Sequence, residues 1–229
     1  MSLPAPRVAM RTDPARHGET GRAYAAAKRA LDVACAGAGL VVLAPLLGAL
    51  ALAVRASSEG PVLFRQPRIG RHGRPFAILK FRSMRPGAAG PAVTARGDPR
   101  VTRVGRWLRA TKLDELPQLW NVLVGDMSLV GPRPEVARFV ERFPADYARI
   151  LRVRPGLTDF AALESLDEEA VLAASPDPEA AYVERVLPAK IAQYHRYLER
   201  MSLRTDVAIL ARTAAALLRS PARAGGARP

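Results

Sequence analysis

The chain is almost without cysteine and is poor in lysine. Cys35 is the single cysteine among 229 residues, which excludes an intramolecular disulfide framework and a cysteine-rich zinc site. Four of the 35 basic residues are lysines, so arginine carries nearly all of the positive charge. Hydrophobic residues make up 49% of the chain. A chain of this length and composition can bury a core of its own, so it is not a disordered tail.

Acidic residues are scarce in one quarter of the chain. Residues 55–112 hold 14 basic residues and two acidic ones, a net charge of +12, whereas the whole chain carries +14. Residues 1–54 carry +3 and residues 113–229 carry −1. So concentrated a positive charge indicates an anionic partner. From composition alone, this partner could be nucleic acid, phospholipid headgroups or a phosphorylated substrate.

A charge-free apolar run lies near the N-terminus. Residues 33–54 are 22 residues without a charge, and as a helix they would be about 33 Å long, enough to cross a bilayer core. Pro45 lies in the middle of the run, where it interrupts helical hydrogen bonding. Basic residues flank both ends, whereas a spanning helix carries its positive flank mainly on the cytoplasmic side. Two alternatives follow: a single spanning anchor, or a helix-break-helix hairpin that enters and leaves on the cytoplasmic face.

Two strand-like segments and a helical pattern occupy the basic region. Residues 62–64 and 76–81 are predicted to be strands around a turn at 69–75. Arginines line this hairpin, and their forked guanidinium groups suit phosphate oxygens, although a solvated or headgroup-facing surface would look the same. Helical spacing begins at Val101, and arginines recur there every three residues up to Arg109. That arrangement is compatible with a phosphate clamp or with a face lying on lipid headgroups.

Adjacent carboxylates follow directly on the basic region. Asp114 and Glu115 lie in a positive field, which predicts that they stay ionised with lowered pKa values. An ionised aspartate can attack phosphorus or hold a divalent metal. The alternative is helix capping, either by Asp114 itself or by Thr111 with Asp114 closing a capping box. The two roles are compatible, because a helix N-terminus also favours phosphate nearby.

A rigidly presented arginine comes next. Arg133 lies between Pro132 and Pro134, so its backbone is held extended and its guanidinium is presented in one direction, as phosphate or base recognition needs. Asp126, a few residues earlier, is a second candidate for metal binding or hydrogen bonding. The alternative for this segment is a turn with a surface arginine.

Three segments of the chain resemble a known family. KFRSM at 80–84, the block at 98–135 that contains LDELPQLWNVLVGDMSLVGPRPE, and RPGLT at 154–158 are similar to those of the bacterial sugar transferases. These are small monotopic phosphoglycosyl transferases that begin surface-glycan assembly, as in exopolysaccharide and O-antigen pathways. The resemblance covers about residues 28–218. It implies transfer of a sugar 1-phosphate from a UDP-sugar to undecaprenyl phosphate with release of UMP, and a requirement for Mg²⁺.

The resemblance also implies roles for individual residues. Asp114 matches the nucleophile, which forms a phosphosugar-aspartyl intermediate and contacts Mg²⁺. Glu115 matches a partner acid that assists attack by the polyprenol phosphate, and Arg133 matches an arginine implicated in nucleotide binding. Further matching positions line the phosphate region, namely Lys80, Arg82 and Arg109. Asp126 completes the set of expected substrate-binding residues.

The expected fold is α+β and mostly helical. We expect a flexible leader at 1–27, a re-entrant membrane helix at 28–56, a catalytic domain with a short β-hairpin and amphipathic interfacial helices at 57–219, and a disordered tail at 220–229. Family members sit on the cytoplasmic face of the bacterial inner membrane by such a re-entrant helix. Its break is typically a Ser-Pro pair, of which Ala44-Pro45 keeps only the proline.

Partners follow from the same resemblance. They are a UDP-sugar, undecaprenyl phosphate and inner-membrane lipids, without nucleic acid, and a homodimer is left open. A membrane-anchored basic module that binds nucleic acid or anionic lipid without catalysis is the alternative function. One segment departs from the family, because many relatives read Gly-Trp-Ala-Gln where this chain has 159–162. Separately, an apolar stripe from Leu203 to Leu217 suits either an interfacial helix or packing on the domain.

Overall fold

The computed structural model describes residues 19–87, 97–164 and 168–219. Within these ranges the chain is mostly helical, as predicted, and it has two small two-stranded sheets. The helices are α1 (Glu19–Val42), α2 (Ala44–Ser57), α3 (Arg103–Ala110), α4 (Gln118–Val124), α5 (Ala137–Val140), α6 (Pro144–Ile150), α7 (Phe160–Glu164), α8 (Glu168–Ala173), α9 (Pro178–Ala181), α10 (Leu187–Glu199) and α11 (Leu203–Arg219). The strands are β1 (Leu63–Ile69), β2 (Pro75–Phe81), β3 (Ser128–Val130) and β4 (Gly156–Thr158).

Helices α1 and α2 form a bent pair. They meet at Leu43 with a bend of 63°, and Pro45 lies in the first turn of α2, where its missing N–H costs no helical hydrogen bond. In the described ranges no single helix has the length and apolarity to cross a membrane, whereas this pair has them jointly. Side chains next to the bend are exposed, Val41 at 76% and Val42 at 74%. The predicted break at the proline is therefore confirmed.

A flexible leader and a disordered tail were predicted at the two ends of the chain. Helix α1 begins at Glu19, inside the segment predicted as a flexible leader over 1–27. Residues 1–18 and the tail predicted over 220–229 lie outside the described residues.

A buried carboxylate fastens the start of α1 to the C-terminal helices. Asp206 on α11 is 1% exposed. Its Oδ2 accepts hydrogen bonds from the Tyr24 hydroxyl at 2.9 Å and the Lys28 ammonium at 2.8 Å, and its Oδ1 accepts from the Tyr197 hydroxyl at 2.8 Å. A carboxylate is stable in the interior only when such partners replace water. These three donors therefore fix α1 against α10 and α11.

The next turn of α1 is fixed to α4 and β3. Arg29 donates to the carbonyls of Val122 at 2.6 Å and Leu123 at 2.7 Å, which lie in the last turn of α4, where carbonyls lack the usual helical acceptor role. Asp32, which is 3% exposed, accepts from the Leu129 N–H at 2.9 Å. Asp114 and Glu115 precede α4 and β3 in the chain. The contacts of Arg29 and Asp32 with α4 and β3 therefore fix the orientation of α1 relative to these two acids.

We expect Asp206→Ala to lower the free energy of unfolding by about 2–3 kcal/mol, because it removes the carboxylate to which Lys28 and two tyrosine hydroxyls donate. Urea unfolding of the detergent-solubilised chain measures this effect. Glu199→Ala removes an exposed acid from α10 and serves as the control, for which no change beyond about 0.5 kcal/mol is expected. Equal unfolding free energies for the two variants would show that the hydrogen bonds to Asp206 add no stability.

The hairpin predicted in the basic region is present. Strands β1 and β2 pair antiparallel from Leu63 opposite Phe81 to Ile69 opposite Pro75, so β1 is longer than the predicted 62–64. The free edge of β2 bonds to a side chain of α4. Asn121 accepts from the Leu79 N–H at 3.0 Å and donates to the Ala77 carbonyl at 2.9 Å. The Asn121 side chain thus forms the two backbone hydrogen bonds that a third strand would form, and it places Lys80 beside α4.

The parallel pair of β3 and β4 was not predicted from the sequence. Each strand has only three residues, too short for an alternating pattern to be recognised. The pair is closed by two glycines whose backbones touch, because a Cβ on Gly156 would lie 2.1 Å from the Gly131 nitrogen. Arg133 and Asp159 follow immediately after these strands and are thereby brought side by side.

Buried apolar side chains connect α2 to the site-bearing elements. One cluster, formed by Leu50, Val54, Phe81 and Leu108, joins α2 to β2 and α3. A second joins α1, α4, β3 and α11, and a third joins α6, α9 and α10. The elements that carry the candidate site therefore pack directly on both arms of the bent helix pair.

Candidate active site

The acidic pair lies in a single 3₁₀ turn between α3 and α4. Lys112 adopts the left-handed conformation with φ of 60°, which ends α3, and the turn Leu113–Glu115 follows. Helix α4 begins after Pro117 without a side-chain cap, and the Thr111 hydroxyl donates back to carbonyls of α3. The capping alternatives for Asp114 and Thr111 are therefore wrong, and the Asp114 carboxylate is left for another role.

Glu115 lies between two cations. Its Oε1 accepts from Lys80 Nζ at 3.1 Å and from the Arg133 guanidinium. Burial acts to raise the pKa of Glu115, but Arg133 and Lys80 outweigh it and hold that pKa well below its usual range. In turn Glu115 raises the pKa of Arg133, whereas burial lowers the pKa of Lys80. The structure thus brings together three of the residues predicted for the site, with Glu115 ionised at their centre.

Asp114 is buried and its Oδ1 has no hydrogen-bond partner among the described residues. The side chain is 7% exposed. Burial raises its pKa, and so does the neighbouring negative charge of Glu115, while Lys80, Lys112 and Arg109 act in the opposite direction. The sequence-based expectation of a lowered pKa is therefore right for Glu115 and wrong for Asp114, because the positive field alone does not include the cost of burial.

Two cations adjoin the pair on the α3 side. Arg109 and Lys112 both lie close enough to Asp114 to lower its pKa. Arg109 was predicted, whereas Lys112 was not assigned a role. In the sequence, only the position of Lys112 directly before the two acids pointed to a role. In the structure, its left-handed backbone sets the direction of the turn that carries these acids.

Two predicted residues make their contacts elsewhere. Arg82 is 6% exposed and donates to the carbonyls of Ser58 at 2.6 Å, of Val54 at 3.4 Å and of Pro61, so it holds the C-terminal end of α2. Asp126 lies exposed in the turn after α4, where it accepts from Asn121 Nδ2 at 3.4 Å. In the described ranges neither makes a hydrogen bond or an ion pair with Asp114 or Glu115, and their roles in substrate binding stay predictions.

Sequence reasoning missed two buried polar groups, Asp159 and Gln118. Asp159, 4% exposed, accepts from the Ala162 N–H at 2.6 Å and lies close to Arg133. Burial raises the pKa of Asp159. Gln118 is completely buried, and in the described ranges its amide has no hydrogen-bond partner. The departure at 159–162 was the one available signal for Asp159.

The donor set fits a magnesium ion held mainly by substrate. Within the described residues no group of three or more His, Cys, Asp or Glu side chains could hold a metal. Mg²⁺ is commonly bound by only one or two carboxylates, with phosphate and water completing its shell. The buried, unpartnered Oδ1 of Asp114 is an oxygen ligand of that kind. Glu115 Oε1 already accepts from two cations, so Asp114 is the better ligand.

A comparison with protein families decides the relationship. The family model for bacterial sugar transferases matches residues 23–220. The chain belongs to the bacterial sugar transferase family. The resemblance seen in three segments is thereby confirmed, and with it the expected class of enzyme, the phosphoglycosyl transferases.

Several relatives of this sugar transferase have names that state an activity. It is 44% identical over 198 residues to the UDP-glucose:undecaprenyl-phosphate glucose-1-phosphate transferase of Caulobacter vibrioides, covering 83% of this chain and 69% of that protein. It is 44% identical over 145 residues to the UDP-N-acetylgalactosamine-undecaprenyl-phosphate N-acetylgalactosaminephosphotransferase of Aeromonas hydrophila, covering 60% and 34%. It is 43% identical over 148 residues to the exopolysaccharide production protein PSS of Rhizobium leguminosarum bv. phaseoli, covering 61% and 74%. The match thus spans about a third of the Aeromonas protein.

Proposed function

We propose that this sugar transferase moves a sugar 1-phosphate from a UDP-sugar to undecaprenyl phosphate, releases UMP, and does so through a phosphosugar ester of Asp114. The observation that carries the proposal is the buried Asp114 carboxylate, whose Oδ1 is unpartnered beside a cluster of cations. The names of the relatives supply the donor and the acceptor. Such a reaction would be the first membrane step of an exopolysaccharide or related glycan pathway.

The first half-reaction begins at Asp114. Its carboxylate oxygen attacks the phosphorus that bears the sugar, the new O–P bond forms, and the bond between the two phosphates breaks with UMP as the leaving group. Arg133 and Lys80 lie 18 and 35 residues from Glu115 in sequence but adjoin it in space, where they stabilise charge that develops on phosphate oxygens. Mg²⁺ held by Asp114 and the diphosphate would supply further charge stabilisation.

The second half-reaction reverses the bond to Asp114. An oxygen of undecaprenyl phosphate attacks the same phosphorus, and the Asp114 carboxylate leaves with its electron pair. Glu115 assists this attack through the positions of Lys80 and Arg133, which its carboxylate holds. The sum of the two steps is one phosphoanhydride broken and one formed, so one site serves a soluble donor and a lipid acceptor in turn.

The proposed location is the cytoplasmic face of the bacterial inner membrane, with α1 and α2 as a re-entrant pair. Support comes from the 63° bend and from the exposed apolar side chains beside it. Single cysteines at positions 25 and 60, in a Cys35→Ser background, test this topology with a membrane-impermeant thiol reagent. Labelling of both from the cytoplasmic side supports a re-entrant pair, and labelling from opposite sides contradicts it.

The activity is tested by UMP release over a panel of UDP-sugars with undecaprenyl phosphate as acceptor. UDP-glucose and UDP-N-acetylgalactosamine head the panel because both occur in the names of relatives. We expect at least one donor to give UMP in proportion to the undecaprenyl pyrophosphate-sugar formed. Absence of UMP with every donor, in protein that is folded and supplied with Mg²⁺, would contradict the proposal.

Glu115→Gln should lower the rate of UMP release about a hundredfold, because one neutral amide cannot hold both Lys80 and Arg133. The same variant should lose about 3 kcal/mol of unfolding free energy, since two partly buried cations lose the carboxylate that pairs with both of them. Glu141 is an exposed acid just after α5. Glu141→Gln is therefore the matched control and should keep the wild-type rate of UMP release and the wild-type unfolding free energy. A Glu115→Gln enzyme with full rate would remove Glu115 from the mechanism.

A further inference from the structure

A recess lies on the face made by α7, the end of α10 and the start of α11. Its volume is about 240 Å³, and its lining combines three arginines with a hydroxyl and an apolar floor: Arg200, Arg204, Arg212, Thr205, Phe160 and Ile209. The residues assigned above to the catalytic cluster do not line it. A recess of this size suits a headgroup or a small phosphorylated compound rather than a drug-sized ligand.

Three arginines lie together in the recess, and none of its described lining residues is acidic. Arg200, Arg204 and Arg212 are all exposed, and in the described part of the chain their guanidinium groups have neither a hydrogen bond nor an ion pair. Asp206, the acid on the same helix, faces the opposite direction and is bonded to Lys28. Three converging cations without an acid repel one another, and an anion removes that repulsion. Guanidinium forks match phosphate oxygens in particular.

Two further features of the recess bear on its ligand: its apolar floor and the start of α11. Phe160 is 8% exposed and Ile209 is 1% exposed, so the floor is a firm apolar surface. Helix α11 has 17 residues and starts at the recess, where Ser202 Oγ accepts from the Thr205 N–H at 3.1 Å. The positive end of the helix dipole therefore lies beside Arg200 and Arg204, which flank the start of α11. Charge and dipole favour an anion, and the floor favours an apolar group attached to it.

We propose that this recess is a second anion site, separate from the catalytic cluster, that binds a phosphate-bearing ligand through Arg200, Arg204 and Arg212. The ligand can come from two sources with the same chemistry: the headgroup of an anionic phospholipid, or a free phosphorylated compound. The recess and the catalytic cluster are adjacent in the sequence. Phe160 forms the floor of the recess, and the preceding residue, Asp159, lies close to Arg133. The proposal stands whether or not the proposed reaction is correct, since none of its residues acts in that reaction.

The test compares Arg204→Gln/Arg212→Gln with a control of equal charge, Arg142→Gln/Arg185→Gln, whose arginines are exposed outside the recess. Both are made in the full chain, purified in detergent, and both should unfold at the wild-type temperature. In the first arm inorganic pyrophosphate is titrated by calorimetry. In the second arm the chain is floated with vesicles of phosphatidylglycerol in phosphatidylcholine, or of phosphatidylcholine alone.

We expect the recess variant to lose about tenfold or more in affinity in at least one arm, as expected for lost charged hydrogen bonds, while the control stays at the wild-type value. Loss of one pyrophosphate-binding event identifies a free phosphate compound. Loss of flotation only with phosphatidylglycerol identifies the lipid headgroup. If the recess variant equals the control in both arms, the recess is not an anion site and the proposal is overturned.

Discussion

Asp114→Asn is expected to reduce UMP release by about a thousandfold or more. The substitution keeps the size of the side chain in its buried 3₁₀ turn but removes the carboxylate oxygen that would bond to phosphorus. An amide is a far weaker nucleophile and a poor magnesium ligand. The loss should therefore appear in the turnover number with every donor, and with donor concentrations far above KM.

The control for Asp114→Asn is Glu141→Gln, which removes one negative charge from an exposed position. It should release UMP at the wild-type rate. Stability provides a second check, because Asp114 carries a raised pKa and is buried without a partner for Oδ1. Neutralising it should leave the unfolding free energy unchanged or higher. An Asp114→Asn protein that is stable and fully active would contradict the assignment of the nucleophile.

Gly156→Ala is expected to lower the unfolding free energy by about 3 kcal/mol or more. A Cβ there would lie 2.1 Å from the nitrogen and 2.2 Å from the carbonyl oxygen of Gly131, and backbone atoms cannot move aside as a flexible side chain can. The strands β3 and β4 would separate. Arg133 and Asp159, which these strands place side by side, would shift with them, so activity should fall along with stability.

Gly48→Ala is the matched control for Gly156→Ala. Gly48 lies in α2, and a Cβ added there would have no atom within 4 Å. Alanine has the higher helix propensity, so the unfolding free energy should stay equal or rise by up to about 1 kcal/mol. Urea unfolding of both variants in detergent makes the comparison. A Gly156→Ala protein as stable as wild type would show that β3 and β4 do not approach as closely as described.

The parts of the fold that depend on local pattern could be predicted from the sequence. Pro45 predicts the break between α1 and α2, because the loss of an N–H is a local property of the chain. The β1–β2 hairpin follows from two apolar segments around a turn rich in glycine. The meeting of Glu115 with Arg133 could be expected only through the family resemblance, since local pattern carries no information on residues 18 positions apart.

The parts that depend on distant contacts could not be predicted. Arg82 looks like a phosphate ligand in a basic segment, yet its guanidinium binds carbonyls at the end of α2. Asp206 reads as an ordinary helical acid, yet it is the buried acceptor for Tyr24 and Lys28, which are about 180 residues away. The pKa of Asp114 depends on burial, which composition does not show. In each case the missing information is which chain segment lies opposite.

The covalent step on Asp114 is the central claim, and intact-protein mass spectrometry tests it most directly. The full chain is incubated with Mg²⁺ and the UDP-sugar that releases UMP, in the absence of undecaprenyl phosphate. We predict that the wild-type protein gains the mass of one sugar phosphate, located on the peptide that contains Asp114, and loses it when undecaprenyl phosphate is added. UMP release that occurs only with both substrates present, with no such adduct and with full activity in Asp114→Asn, would contradict the account.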